Sequence, residues 1–271
     1  MPYSPWGRTT PLRTTAMVEG GAEVTEIHSH LLRVTLETEH ARAYWVEAQP
    51  DLPLDEEVEL AFSQYWFGAK SMARVRSLVR AFRFRFAGFP ASLEVLRGWS
   101  GMDRDSRRAV CHWHVQLTDP LYRRFSGDFL PQRRVGRGEV NREAVLAWIE
   151  RVDDSGRWGT ATRVGFASKL MSAAHAAGII EATKDPRPLT APPVPQAALT
   201  YLLYLLRSVR FEGSLHDNPY LRSVGIEGTL LDERLRRAEG VGVRRAGDIV
   251  ELEWQYPDLR GWAAETLERA S

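Results

Sequence analysis

Cysteine is almost absent from this 271-residue sequence: Cys111 is the only one. That excludes an internal disulfide and any multi-cysteine zinc site, and it fits a reducing cytosol. Lysine is nearly as rare, limited to Lys70, Lys169 and Lys184, so the cationic surface is made of arginine. No apolar run approaches the roughly 20 residues that a bilayer span needs; the longest runs only from Ala197 to Leu206. The first twenty residues carry no apolar core of the kind a signal peptide has. Low-complexity tracts and solenoid repeats are missing. So are the motifs of common catalysis: no phosphate-cradling Gly-Lys-Ser/Thr loop, no Gly-x-Ser-x-Gly, no His-Glu-x-x-His and no Gly-x-Gly-x-x-Gly. These absences predict a soluble, cytoplasmic protein that is not an enzyme and holds no cofactor.

What is present is charge, sorted along the chain. The net charge is only +1, yet residues 19–60 carry eleven acids against two arginines, or −9. Residues 61–180 carry twenty Lys/Arg against ten Asp/Glu, or +10. A block of that size attracts polyanions whatever the total over the chain. Its densest part, Lys70 to Arg85, has six cations and no acid. Helical spacing there sets Val75, Leu78, Val79, Phe82 and Phe86 on one stripe, with Arg76, Arg80 and Arg83 together on another face and Arg74 close by. Such a helix either lays guanidinium groups along phosphates or pairs them with the acidic segment just upstream.

The pattern predicts a mainly α-helical protein in two parts, a helical domain over 1–152 and a winged-helix-like domain with short β-strands over 153–271. An extended arm at 1–15 precedes a mostly helical stretch from Met17 to Ala48, where Val24, Ile27, Leu31 and Val34 recur at helical spacing. Helices are predicted at 55–67, 69–86, 93–96, 106–117 and 119–130. A loop marked by Pro131, Gly136 and Gly138 follows, then a helix capped by Asn141. The run Asp153-Asp154-Ser155-Gly156 reads as a boundary. Beyond it come a helix from Thr160 or Thr162 to a C′ glycine at Gly178, a short strand at 179–182, a turn at 184–186 and an extended return to 195. Helices at 196–209 and 228–238 precede a hairpin ending in the alternating strand Ile249–Trp254.

A helix followed by a two-stranded wing is the sequence pattern of a winged helix-turn-helix, whose last helix enters a major groove. Phe166, Leu170, Ala173 and Ala177 form its buried side, and Thr162, Arg163 and Lys169 its polar one. The alternative is a winged helix serving as a spacer or protein-contact module. Cys111, His112 and His114 crowd together, but a structural zinc wants four ligands with chelating spacing, so buried helix positions are the expected role. Asp103 with Asp105, and Asp153 with Asp154, are acidic pairs that could hold a cation, the first being the one a metal-dependent nuclease would use, and both sit where helix N-terminal or linker acids are expected.

Four stretches carry a family resemblance: Arg80-Ala-Phe-Arg-Phe-Arg-Phe; RRAVCHWHVQLTDPLYRRFSGDFL at 107–130; WGTATRVGFASKLMSAAHAAGII at 158–180; and GDIVELEWQYPDL at 247–259. Their order resembles BrxA, a component of the BREX bacteriophage-exclusion systems, over residues 10–260. The matching features are Asp119-Pro120-Leu121, Phe125, Thr162, Leu170 and Gly178-Ile179-Ile180. The resemblance implies a helical fold, partly similar to the antitermination factor NusB, and a non-enzymatic role binding double-stranded DNA beside other BREX defence proteins. On that reading Lys70, Arg74, Arg76, Arg80 and Arg83 contact the phosphate backbone with Arg123, Arg124, Arg133, Arg134 and Arg137. Thr162, Arg163 and Lys169 lie on the helix that reads the groove. The rivals are an adaptor that docks defence proteins through its acidic and basic surfaces, and a NusB-like RNA binder.

Overall fold

Capping residues and apolar stripes set most helix boundaries in the computed structural model, which describes residues 20–246 and 249–267. The predicted arm at 1–15 lies outside them. In chain order the helices are α1 (Thr38–Glu47), α2 (Leu54–Ser63), α3 (Met72–Phe86), α4 (Pro90–Gly98), α5 (Arg104–Thr118), α6 (Pro120–Arg124) and α7 (Leu130–Gly136). After strand β1 (Glu139–Val140) come α8 (Arg142–Val152), α9 (Thr160–Ala176) and β2 (Arg187–Pro188). The remainder is α10 (Gln196–Ser208), α11 (Pro219–Ser223), α12 (Gly228–Arg236), the hairpin β3 (Val241–Ala246) and β4 (Ile249–Trp254), and α13 (Leu259–Thr266). The protein is mainly α-helical, with two small antiparallel sheets among the described residues.

Helix α5 runs through the centre. Asp103 caps it by accepting from the Asp105 and Ser106 amides, each at 2.9 Å, and every residue from Ala109 to Thr118 is buried. Helix α3 packs on it through the expected stripe Val75, Leu78, Val79, Phe82 and Phe86, all buried. Helix α10, the most apolar segment, covers another side of α5. One hydrophobic cluster runs without a break from Leu31 to Ala263 and includes residues on both sides of Asp153.

The stretch from Met17 to Ala48 departs from the helical expectation. Among its described residues only Thr38–Glu47 is α-helix, with one 3₁₀ turn at His30–Leu32. The reason is tertiary. The Glu23 amide donates to the Arg210 carbonyl at 3.0 Å and the Val24 amide to that of Leu117 at 2.8 Å. Further on, Arg85 donates to the carbonyls of Val34 at 2.5 Å and Thr35 at 2.7 Å. Backbone groups bonded to neighbouring elements cannot also close helical turns. The expected loop at Pro131 is likewise helical, because a π-turn over Phe125–Phe129 leads straight into α7 with proline in its first turn.

Candidate nucleic-acid interface

Helices α8 and α9 pack against each other, and the acidic run between them is their turn. The Asp153 carboxylate organises that turn by accepting from the Arg157 amide at 2.8 Å and the Trp158 amide at 3.0 Å, and it pairs with Arg163 at 3.1 Å. Against the upward push of burial, these bonds hold its carboxyl below the usual carboxylate range. Composition alone reads 153–156 as a boundary; in three dimensions it is the connection inside a helix-turn-helix.

Strands close the unit. After α9, Gly178 takes a left-handed φ of 78°, and Ile180 bridges Leu189 in antiparallel sense. Strand β2 then pairs with β1, with Val140 opposite Arg187. The order is helix, strand, helix, turn, helix, turn, strand, and the strand expected at 179–182 is reduced to the single bridge at Ile180, which leaves a winged-helix-like connectivity with α9 ahead of the wing turn. It includes α8 and β1, so it begins upstream of the segment that suggested it. The wing is tied to the N-terminus of α8: Asp185 accepts from the Arg142 amide at 2.8 Å and from the Arg187 guanidinium at 2.6 Å.

On α9 the buried side includes Phe166, Leu170 and Ala173, with Ala177 buried just past its end, as the spacing predicts, and Ala167, Met171 and Ala174 are buried beside them. The most exposed strip is Ala161, Ser168 and Ser172. Arg163 does not point outward, since Asp153 and Glu150 hold it. Thr162 and Lys169 are half-buried on a flank. The 3₁₀ turn packs against α9 on that side, and Leu32 is the neighbour that a Cβ on Gly165 would meet at 3.5 Å. The Arg142 guanidinium reaches Ser168 Oγ at 3.4 Å, joining the start of α8 to the middle of α9.

The fold itself engages many of the cations expected to meet phosphate. Arg74 pairs with Glu37 at 2.7 Å and Arg76 with Asp55. Arg83 pairs with Glu57 at 3.0 Å and donates to the Leu52 carbonyl at 2.7 Å and the Pro50 carbonyl at 2.8 Å. Arg123 donates to the Gln116 carbonyl at 2.6 Å and the Val24 carbonyl at 2.8 Å, beside Glu23. Arg134 lies 3.8 Å from Glu227, and Arg133 donates to the Glu139 carbonyl at 3.2 Å. Lys70, Arg80, Arg124, Arg137 and Lys169 have no side-chain ion pair or hydrogen bond among the described residues. The acids that neutralise α3 come from the upstream segment, the alternative its charge pattern left open. Sequence reasoning missed Arg142 and Lys184; their positions at a helix start and in the wing turn were the available signal.

The other chemical candidates are structural. His112 Nδ1 faces the Tyr122 hydroxyl at 2.9 Å and its Nε2 faces Ser223 Oγ at 2.8 Å. Ser223 Oγ gives its own proton to the Tyr220 carbonyl at 2.7 Å, so His112 Nε2 donates and Nδ1 accepts. His114 donates from Nδ1 to the Arg85 carbonyl at 3.2 Å and accepts at Nε2 from Tyr201 at 2.8 Å. Burial pushes both rings down to about 3 and the Cys111 thiol up to about 12. Among the described residues no group of three or more His, Cys, Asp or Glu side chains could hold a metal ion. Asp103 is occupied in capping α5, where Ser106 Oγ also donates to it at 2.5 Å.

A second feature adjoins α9. The 3₁₀ turn that carries Leu32 also carries His30, whose ring meets the edge of Phe84 on α3 at 4.4 Å. Between this turn and α3 lies a cavity of about 540 Å³, lined by Ser29, His30, Arg33, Ser77, Arg80 and Phe84 among others. No known family model matches this chain, and no curated protein matches it.

Proposed function

We propose that this protein is a non-enzymatic, cytoplasmic, double-stranded DNA-binding component of a bacterial phage-defence system of the BREX type, acting beside other proteins of that system. The defence setting rests on the resemblance to BrxA. The duplex-binding role rests on one observation: a winged-helix-like connectivity whose α9 leaves Ala161, Ser168 and Ser172 exposed near the α8 N-terminus and the wing. A small, hydroxyl-bearing strip lets a helix sit close to base edges, and Arg142, Lys169 and Lys184 flank it with side chains that form no ion pair among the described residues, although Asp185 lies beside Arg142. No Asn, Gln or free Arg on the strip is placed to pair a base edge, so backbone contacts dominate and sequence preference is weak.

Fluorescence anisotropy with unrelated duplexes, single strands and RNA tests this reading. With about four phosphates neutralised, affinity falls on the order of 100-fold between roughly 50 and 200 mM salt. Charge reversal at Arg142 and Lys184 weakens duplex binding by about tenfold or more and flattens the salt response. Equal binding by those variants refutes the wing-face reading, and stronger binding to RNA than to any duplex replaces it.

A protein-docking reading has its own observation. Val46 and Tyr65 are exposed beside Glu39 and Glu47 around a groove of about 450 Å³ between α1 and the end of α2. Arg42 also lines this groove and Arg107 pairs with Glu39 at 2.7 Å, so the apolar wall, more than its charge, is what a partner segment would meet.

A further inference from the structure

The cavity between the 3₁₀ turn and α3 differs from the rest of the basic helix in shape and in charge. Four arginines line it. Two are neutralised in place, Arg76 by Asp55 and Arg83 by Glu57. The other two, Arg33 and Arg80, reach it from opposite walls and meet no acid or hydrogen-bond acceptor among the described residues. Two unpaired guanidinium groups lining one open cavity suit a small dianion, because planar forks match phosphate oxygens.

The remaining lining is not that of a bare anion site. Phe84 is exposed for so large an apolar side chain. It is held upright by the His28 and His30 rings, which stack on each other at 4.2 Å and meet Phe84 at 5.1 and 4.4 Å. Leu54 extends the apolar wall, while Ser29 and Ser77 add hydroxyls. Ser77 gives its proton to the Ala73 carbonyl at 2.9 Å, which leaves its oxygen as an acceptor. Partial burial and the nearby His28, Arg33, Arg85 and Arg80 push the His30 ring below its ordinary value. A neutral imidazole beside a dianion site can accept from or donate to a ligand. At about 540 Å³ the space is of the size that small-molecule sites occupy.

We propose that this cavity binds a single nucleotide unit, its phosphate held between Arg33 and Arg80 and its base laid against Phe84, His30 and Leu54. Phosphate alone would leave the aromatic wall uncovered, and a base alone would leave two cations unanswered. Stacking on an aromatic side chain is tolerant of base identity, so the site takes a phosphate-bearing nucleotide without strong preference among bases. The unit could come from a free mononucleotide or from the 5′-phosphorylated end of a strand. The inference does not rest on groove reading by α9.

Isothermal titration calorimetry on the full chain tests it with dAMP, deoxyadenosine, inorganic phosphate and a 5′-phosphorylated trinucleotide. The expected result is dAMP binding about tenfold or more tighter than either deoxyadenosine or phosphate. Arg33→Gln and Arg80→Gln, both at exposed positions, each weaken dAMP by about tenfold, with thermal melts unchanged. Phe84→Ala brings dAMP down to the affinity of phosphate. Tighter binding of the trinucleotide assigns the pocket to strand ends, and tighter binding of dAMP assigns it to free nucleotides; both uphold the site. Phosphate binding as tightly as dAMP overturns the proposal, as does dAMP binding that is absent or indifferent to both arginine variants. Duplex binding that persists in Arg33→Gln while dAMP binding is lost separates this site from the wing face.

Discussion

Acidification from pH 7.5 to pH 5 destabilises this protein through two histidines, and replacing one of them shows how much each contributes. His112 and His114 are buried, and each ring has both nitrogens satisfied in the neutral form. A proton added to His112 Nδ1 would place a second donor against the Tyr122 hydroxyl, which already points its own proton at that nitrogen. Burial therefore holds the folded value at about 3, whereas an unfolded histidine titrates near 6.5. Between those values the unfolded chain binds more protons, so stability rises with pH. The penalty is absent above about pH 6.5. It grows by about 1.4 kcal/mol per unit below that and levels off near pH 3. At pH 5 each histidine costs about 2 kcal/mol, and the pair about 4 kcal/mol, a large part of a typical domain's stability of about 5–15 kcal/mol. Ordinary carboxylates stay ionised down to about pH 5, so they contribute little over this window. Urea unfolding followed by tryptophan fluorescence measures the effect in wild type and in His112→Gln. The raised Asp119 carboxyl and the lowered His30 ring are common to both proteins and drop out of the difference. The wild type should lose about 2 kcal/mol more than the variant between pH 7.5 and pH 5. Equal losses would refute the assignment of His112 as a buried neutral ring.

Two further substitutions check how the helices and the N-terminal segment are held. Leu170→Ala should cost about 2–5 kcal/mol because its side chain is wholly buried, whereas the half-buried Lys169→Ala should stay within about 0.5 kcal/mol; equal costs in thermal melts would mean that the phase of α9 is wrong. Arg85→Met should cost about 3 kcal/mol or more, since it leaves the Val34 and Thr35 carbonyls buried without their donor. The same variant should speed amide exchange across residues 31–36, and unchanged exchange there would mean that the clasp does not order the segment.

The helical character of the chain was legible wherever a helix buries a stripe of its own. The phases of α3 and α9, the cap at Asn141, the C′ glycine at Gly178 and the terminal hairpin all follow from local spacing and turn chemistry. The segment before α1 was not legible, because the partners of its backbone lie far away. Leu117 and Arg210 take its amides, and Arg85 takes its carbonyls, so apolar residues at helical spacing end up on an extended strap. Helix α13 went unseen for a related reason. Its eight residues bury Leu259, Trp262 and Ala263 against α4 and α10, and a stretch that short shows no period by itself.

Charge was the least transferable signal. A +10 block counts guanidinium groups but not where their hydrogen bonds go, and arginine has several uses besides meeting phosphate. Arg85 is buried, brought down to about 10, and still charged at neutral pH while it grips main-chain carbonyls. Arg83 and Arg123 likewise stitch distant loops to helices through carbonyl oxygens. Lysine, a point charge, cannot make such forked contacts, which gives the near absence of lysine a structural reason. Once the arginines that build the fold are set aside, two of the places that keep unpaired cations beside a shaped surface, among the described residues, adjoin the 3₁₀ turn. One is the wing face with Arg142, Lys169 and Lys184, and the other is the cavity of Arg33 and Arg80. Both border the 3₁₀ turn, through Leu32 and His30 respectively. If a polyanion bound along α9 also reaches the cavity, a strand end and a groove are held by one protein. The order of the two affinities, measured separately for a duplex and for dAMP, decides whether the surfaces act together: a blunt duplex carrying 5′-phosphates should bind more tightly than the same duplex without them, and the advantage should vanish in Arg33→Gln.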